Sequence, residues 1–561
     1  MRILFLTHSF NSLAQRLHVE LAARGHEVSV ELDIADTVSI EAARLYRPDL
    51  IVAPFLKRAI PEALWREHVC LVVHPGPPGD RGPSSLDWAI LEGEPHWGVT
   101  VLQANAVMDG GDIWATRAFP MRAATKSSVY RNEVTEAACA AVLEAVERFA
   151  GKRFSPFPQE CIRSRPVLPQ EARRIDWQRD GTATVLAKIR ASDGAPGVLD
   201  RIGGRELYLF DAHEEWTLRG TEPGAIIARR KEAILRATVD GAVWVGHVRL
   251  KDGFKLPATL ALGGLLDGVP DSAPGVLPAK RSGTWQDIAY EEAGAVGTLH
   301  FEFYNGAMSS EQCLRLRDAF LAAAQRPTRV IVLAGGPDFW SNGINLNRIE
   351  AAPSPADESW RNIEAMDELC RAILECGTHL TVAALSGNAG AGGVFLALAA
   401  DSVWARRAAV LNPHYKGMGN LYGSEYWTYS LPRRIGAERA GALMQGRLPI
   451  GATRAAALGL IDACFGEDAA QFAGEVQDRA RELVDGAAGM LEEKRTRRER
   501  DELAKPLESY RAEELDRMRL NFYGFDPSYH VARHRFVHRV PHAWTPLHLA
   551  RHRRAAWRRQ A

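Results

Sequence analysis

Short apolar runs alternate with amphipathic stretches through residues 1–150. Arg2–Leu6, Glu27–Leu32, Leu50–Ala53 and Cys70–Val73 read as buried strands, and Ser12–Arg24 as a helix. Apolar strands separated by helices predict a parallel sheet covered on both faces. Ligands of such sheets sit at the carboxyl ends of strands, and His74 directly follows one. Residues 151–170, rich in Pro, Arg and Ser, read as a linker. The pattern then changes. Leu207–Phe210, Ala225–Ala228, Ala233–Thr238 and Ala242–Leu250 are short strands broken by Gly and charged turns, which predicts a small β-barrel (OB-like) domain. Residues 268–284 read as a second linker. The α/β alternation resumes with Gly297–Phe303, Val330–Leu333 and Thr381–Leu385, and residues 471–520 read as helices with a solvated, mixed-charge face. The fold class is α/β, divided into 1–165, 171–275, 285–525 and a tail, 526–561.

Several domains suit a chain of 561 residues, because single cores seldom grow past ~250–300 residues. A formal net charge of zero provides no global field for nucleic acid or an anionic membrane. No apolar run approaches the ~18 residues of a spanning helix. The opening MRILFLTHSFNS lacks the apolar core and cleavage site of a leader, so the expectation is a cytoplasmic protein. Seven scattered cysteines, without a C-x-x-C pair, suit a reducing compartment and indicate no zinc or iron–sulfur site. From His530 to Ala561 there are eight Arg, six His and no acidic residue. That tail packs back on the chain, meets ligand phosphates or is disordered. With no nucleic-acid-binding motif elsewhere, no nucleic-acid partner is expected.

Val73–Ser85 reads VHPGPPGDRGPSS, with three Gly and four Pro. It is a stiff loop and not a helix. Downstream, a strand at Val99–Leu102 leads to the acidic turn Asp109-Gly110-Gly111-Asp112. A His and an Asp on neighbouring strand-end loops suit acid–base work on a tetrahedral intermediate, the Asp orienting the imidazole. These segments resemble the 10-formyltetrahydrofolate-dependent formyltransferases, whose Asn-x-His, Arg-Gly, Gly-Val-Thr and Asp-x-Gly elements correspond to Val72–His74, Arg81-Gly82, Gly98–Thr100 and Asp109–Gly111. The following barrel, from Ile175-Asp176-Trp177, resembles the C-terminal domain of methionyl-tRNA formyltransferase. The resemblance implies His74 and Asp109 as catalytic and Arg81, Gly82 and Asp112 as folate-binding. The family Asn is Val72 here, whose side chain has no donor. Losing one such donor costs on the order of 10²–10³ in rate, unless another donor replaces it or the acceptor is an easier nucleophile such as a thiol.

Phe339–Asn345, FWSNGIN, and Ser386–Ala400, SGNAGAGGVFLALAA, each follow a strand. Glycines at such turns let backbone N–H groups face a ligand oxygen, and two turns can form an oxyanion hole. The pair resembles the crotonase (enoyl-CoA hydratase/isomerase) superfamily, as does Leu458–Ala463, LGLIDA. The resemblance places the oxyanion amides at Ile344 and Gly392 and coenzyme A contacts at Gly343, Gly393, Lys416 and Tyr422. The positions of the two hydratase acids are Phe395 and His414, so hydration is not expected. Tyr415, Lys416, Tyr422 and Glu425 share one polar–aromatic segment, in which Glu425 and Tyr415 are candidate proton carriers.

A formyltransferase-like half before a crotonase-like half resembles the HypX (HoxX) family of nickel–iron hydrogenase maturation factors. The most specific segments are HPGPPGDRGPSSLDW, His74–Trp88, and GSEYWTY, Gly423–Tyr429. The resemblance implies formyl transfer from 10-formyltetrahydrofolate to coenzyme A, then decarbonylation of formyl-CoA. The carbon monoxide would become the ligand of the hydrogenase iron, with the maturation machinery or the apo-hydrogenase large subunit as partner. Two other readings stay open: a formyltransferase for an amine substrate with a structural crotonase domain, and a non-catalytic module that senses folate and coenzyme A.

Overall fold

A computed structural model describes residues 1–280 and 283–554. The first sheet has the spatial order Glu27–Leu32, Arg2–Thr7, Leu50–Phe55, Cys70–His74, His96–Gln103, Ile113–Pro120. Successive residues of its central strand serve opposite layers. Ile3 and Phe5 enter the core under the Ser12–Ala23 helix, while Leu4 and Leu6 enter a second core with Ala42 and Tyr46. That alternation is why both faces are apolar and helix-covered. The expected parallel sheet needs one correction. Its first four strands are parallel, but His96–Gln103 and Ile113–Pro120 each run antiparallel to their neighbours. Between Cys70–His74 and His96–Gln103 lie the proline-rich loop and the seven-residue helix Ser85–Leu91, and the chain returns along the strand it has just left.

The second sheet is six-stranded and antiparallel. It packs on the Thr182–Ser192 helix through Val185, Ile189, Leu207, Leu209 and Val245. In the last region Val296–Phe301, Val330–Gly335, Leu380–Leu385, Ser402–Arg406 and Ala463–Phe465 are parallel, with Ile288–Ala293 antiparallel at the edge. Three of these strands run on into a second, four-stranded sheet: Phe339–Ser341, Asn388–Gly390 and Val410–Asn412 pair in parallel, with Ile450–Gly451 at the edge. The connecting turns are therefore stacked side by side. Helices Ala469–Ala504, of 36 residues, and Leu507–Tyr523 complete this part. Among the described residues no helix is long and apolar enough to cross a membrane.

The halves share polar contacts. Asp338 accepts hydrogen bonds from Ser128 Oγ (2.7 Å), Asn132 Nδ2 (2.8 Å) and Arg131 Nη1 (3.0 Å). Two of these residues lie in a π-helical turn, Tyr130–Val134, a local irregularity frequent at functional positions. The basic tail is folded as far as Arg554. Its helix Ser528–Val537 docks on the last region, with Arg533 Nε 2.7 Å from Glu350. The chain then crosses to the first sheet. Leu549 O accepts from Val30 N at 3.0 Å, and Glu31, fully buried, receives His552 Nε2 at 2.8 Å and Arg553 Nε at 2.7 Å. Residues 555–561 lie outside the described residues.

Glu31 neutralises a basic tail inside an apolar sheet. Removing one partner of a buried ion pair costs about 3–5 kcal/mol. Glu31→Ala should lose stability on that scale in denaturant unfolding. Glu41→Ala, which removes the exposed partner of Arg553, should change it by about 1 kcal/mol or less.

Candidate active sites

His74 ends its strand and is 4% exposed. Its Nε2 lies 3.0 Å from Asp80 Oδ2, whereas Nδ1 is 3.6 Å from Asp109 Oδ1. The hydrogen bond that orients the ring thus comes from Asp80, and not from Asp109 as the sequence pattern suggests. Asp109 stands across the ring at ion-pair distance. The sequence signal for Asp80 was present, six residues after His74 in the same stiff loop. That loop is clamped at both ends: Trp97 Nε1 and Ser85 Oγ each donate to Pro75 O at 2.9 Å, and Thr100 Oγ1 donates to Gly76 O at 2.8 Å. A Cβ on Gly76 would lie 2.4 Å from both His74 Nε2 and Asp80 Oδ2, so only glycine lets the backbone pass over the pair.

The stretch 151–170, read as a linker, is built into this site. Arg163–Ser164 pairs with Asp80–Arg81. Gln159 Nε2 donates to Asp109 O (2.8 Å) and Gly111 O (3.1 Å), while its Oε1 accepts from Gly79 N (2.9 Å). Gln159 therefore couples the His74 loop to the acidic turn. Asp109 adopts a left-handed φ of 51° and accepts from Gly82 N at 3.3 Å. Arg81 Nε is buried with no partner among the described residues, a donor suited to a ligand. Asp112 is exposed. Val72 lies two residues before His74 on the same strand face, so no side-chain donor stands where the family has one.

The second site follows from the parallel pairing of Phe339–Ser341 with Asn388–Gly390. It brings together the turns that follow them. Gly343, at φ 80°, approaches Gly392 so closely that a Cβ would be 3.3 Å from Gly392 N. The flanking bonds Met308 N to Gly343 O (2.9 Å) and Asn345 N to Met308 O (3.0 Å) bypass Ile344, whose N–H, like that of Gly392, has no backbone acceptor among the described residues. Two such amides side by side can bind one oxygen. Against Gly392 lies the Glu425 carboxyl: a Cβ there would be 2.6 Å from its Oε1. A larger residue at 392 would displace the acid.

Glu425 is 2% exposed. Tyr415 Oη donates to its carboxyl, and the Tyr415 ring stacks on Phe395 at 5.4 Å. Burial pushes Glu425 up to about 7. Burial, with Glu425 nearby, drives Tyr415 far above its usual range. Two more acids complete the surroundings. Asp367 accepts Glu425 N at 2.8 Å, and Glu514 accepts Tyr426 N (2.9 Å) and Thr428 N (2.7 Å). Burial raises both, Glu514 to about 8. Neither was read from sequence. A signal existed in each case, a lone acid on an otherwise apolar helix face: Asp367 among Ile363, Met366 and Cys370, and Glu514 among Leu507, Met518 and Phe522. Of the two hydratase positions, Phe395 is fully buried and His414 is a half-buried ring pushed down to about 4 by burial. Tyr422 meets the Trp427 ring at a tilt, 5.3 Å between centroids, and Lys416 is half-buried. Where the halves meet, a cavity of about 200 Å³ is lined by Arg122, Arg131 and Arg190 among six acidic residues, Asp193, Asp211 and Asp338 included; no sequence motif marks it.

The chain matches the family model described as formyl transferase over residues 31–146, that of the formyl transferase C-terminal domain over 168–265, and that of enoyl-CoA hydratase/isomerase over 295–544. It is 56% identical over 560 residues to hydrogenase maturation factor HoxX of Bradyrhizobium diazoefficiens, covering 99% of this chain and 97% of the relative. It is similar to the crystal structure of HypX from Aquifex aeolicus in complex with tetrahydrofolic acid, with 51% identity, a TM-score of 0.97 and 99% of each chain covered. A methionyl-tRNA formyltransferase of Citrifermentans bemidjiense is 28% identical over 273 residues, 46% of this chain and 84% of that protein.

The raised carboxyls set a pH dependence. Glu514 keeps its proton to about pH 8 when folded but loses it near ~4.3 when unfolded. Between those values the unfolded state alone is ionised, so stability falls as pH rises. Glu514→Gln keeps an acceptor for the two amides and removes the titration. Its thermal midpoint should fall less than the parent's between pH 5 and pH 8. Parallel pH curves for the two proteins would show that Glu514 is ionised in the fold.

Proposed function

The chain belongs to the HypX (HoxX) family of hydrogenase maturation factors, and from that premise we propose that it carries formyl from 10-formyltetrahydrofolate to coenzyme A and then decarbonylates the thioester. Folate is supported by the formyl transferase match and by the tetrahydrofolic acid in the related Aquifex structure. Within this chain the unpartnered Arg81 Nε and the clamped loop with Gly82 suit that ligand. In the first step the coenzyme A sulfur attacks the formyl carbon, the bond from that carbon to the folate nitrogen breaks, and the thiol proton ends on that nitrogen. His74, fixed by Asp80 and faced by Asp109, is the group to move it. A thiol acceptor fits a site in which Val72 supplies no side-chain donor.

The second step rests on one observation, the Glu425 carboxyl packed against Gly392 beside two acceptor-free amides. Formyl-CoA has no α-carbon, so the pair of amides would polarise the formyl oxygen itself. Glu425 removes the formyl proton, the carbon–sulfur bond breaks, carbon monoxide leaves and the sulfur takes a proton. Burial raises Glu425 toward neutrality, which suits a carboxyl that takes a proton and gives it back. Tyr415 is too weak an acid to remain a phenolate. Its proton therefore reaches sulfur only as Glu425 returns the one it has taken, which makes Tyr415 a relay. Gly343, Gly393, Lys416 and Tyr422 would be the contacts for the thioester arm of coenzyme A. In this reading the carbon monoxide supplies the ligand of the hydrogenase iron.

With 10-formyltetrahydrofolate and coenzyme A, the parent should generate carbon monoxide, read by a haem-protein reporter. Glu425→Gln should stop it while formyl-CoA accumulates in mass spectra of the quenched reaction. Gly76→Ala, by displacing the His74–Asp80 pair, should stop formyl-CoA formation itself. Carbon monoxide at the parental rate from Glu425→Gln would remove Glu425 from the role, and hydration of crotonyl-CoA by the parent would overturn the reading of this half.

A further inference from the structure

The described part of the tail brings together a third cluster, remote in sequence from both sites. His534 and His538 are four residues apart on the Ser528–Val537 helix and its C-cap, so they project from one face. Their rings lie 4.1 Å apart. His534 Nδ1 is 2.8 Å and His538 Nε2 3.1 Å from the same oxygen, Glu350 Oε1. One ligand atom from each of the three residues lies within 4.8 Å of the others. The other carboxyl oxygen, Oε2, is held by Arg533 Nε at 2.7 Å. The carboxyl is thus oriented from one side and offers Oε1 to the two imidazoles on the other. Glu350 is nearly buried, while His534 and His538 are open to solvent.

We propose that Glu350, His534 and His538 form a binding site for one divalent transition-metal ion of the zinc or nickel kind. Two imidazole nitrogens and one carboxylate oxygen are a donor set such ions favour over magnesium or calcium. With bonds of ~2.0–2.2 Å, neighbouring donors around a tetrahedral ion stand about 3.4 Å apart, close to the 2.8 and 3.1 Å that separate the two imidazole nitrogens from Oε1. Each imidazole would bind through the nitrogen now facing Oε1 and carry its N–H on the other nitrogen. The exposed side leaves a fourth position for water. Arg533 would act on the carboxyl from the outer shell, as groups that orient metal-bound carboxylates do.

The place of the cluster gives the ion a structural task. Glu350 lies in the helix Leu346–Ala351, which starts two residues after Ile344. His538 also meets Phe254 edge-on at 5.1 Å. The next residue, Lys255, binds Tyr304 Oη at 2.6 Å and Asp193 at 3.2 Å, both beside the inter-half cavity. An ion here would fasten the tail helix to the segment that carries the Ile344 turn and to the strand Lys255–Pro257 of the antiparallel sheet beside the cavity. Metal binding of this kind adds directly to folding stability. The proposal stands independently of the formyl chemistry. Cysteine spacing could not have signalled it, because no thiol takes part.

The test uses full-length protein freed of any affinity tag, stripped with a chelator and dialysed against zinc, nickel or cobalt chloride. The parent should retain one equivalent of metal by mass spectrometric elemental analysis. Its thermal midpoint should rise with zinc, and cobalt should give visible absorption from nitrogen–oxygen coordination. His534→Gln with His538→Gln should weaken binding on the order of a hundredfold or more and abolish the zinc-dependent rise. Circular dichroism should remain parental, since both side chains are exposed. Less than one equivalent retained by the parent, or equal binding by the double variant, would overturn the proposal.

Discussion

The second site is organised around keeping one carboxyl dry. An ionised Glu425 in an apolar core would be prohibitively costly without partners, and the surrounding residues answer that cost in a particular way. Its backbone and that of Tyr426 both sit in the left-handed region, at φ 63° and 56°, each a cost of order 1–2 kcal/mol for a residue with a Cβ. Asp367 and Glu514 hold this turn by accepting the amides of Glu425, Tyr426 and Thr428. The two acids that burial, with Glu425 nearby, raises are therefore also the ones that fix the backbone. That explains why helices from distant parts of the chain, Pro355–Leu374 and Leu507–Tyr523, each bring an acid to the same point.

The first site follows the opposite rule. His74 has polar partners on both ring nitrogens and a loop whose carbonyls are fixed by Trp97, Ser85 and Thr100. The two environments suit different tasks, a hydrogen-bonded imidazole between two carboxylates against a desolvated carboxyl beside two amides. Asp338 and the tail hold the halves against each other by polar contacts. A formal net charge of zero conceals this arrangement, because the basic tail finds its acids, Glu31, Glu41 and Glu350, in both halves of the chain.

The four parallel strands of the first sheet were legible to within two residues, since buried strands leave unbroken apolar runs, whereas His96–Gln103 was read only from Val99 and Ile113–Pro120, with Arg117 and Pro120 in it, was not read. The glycine turns at 343 and 392 were legible because close backbone approach admits nothing larger. The antiparallel return at His96–Gln103 was not, as an apolar run carries no direction. The 151–170 stretch looked like a linker because its work is done by one glutamine and a two-residue strand pair. Asp80 was overlooked in favour of Asp109 because motif order says which residues converge and not which of them touches the imidazole. Asp367 and Glu514 sat on helices whose periodicity described their packing alone, and a single polar break in an apolar face is easily read as a solvated position.

The dryness of the second site bears on what reaction it can run. A hydratase must admit and activate water, and here an apolar ring stands at one acid position and a half-buried imidazole kept neutral at the other. Conversion of a formyl thioester to carbon monoxide and thiol consumes no water and releases no net proton. The proton leaves carbon and ends on sulfur. A hydrogen-bonded Tyr415–Glu425 pair can complete that transfer within itself, without exchange with solvent. Burial that would disable hydration thus costs the proposed reaction nothing, and it protects a thioester that water would otherwise hydrolyse.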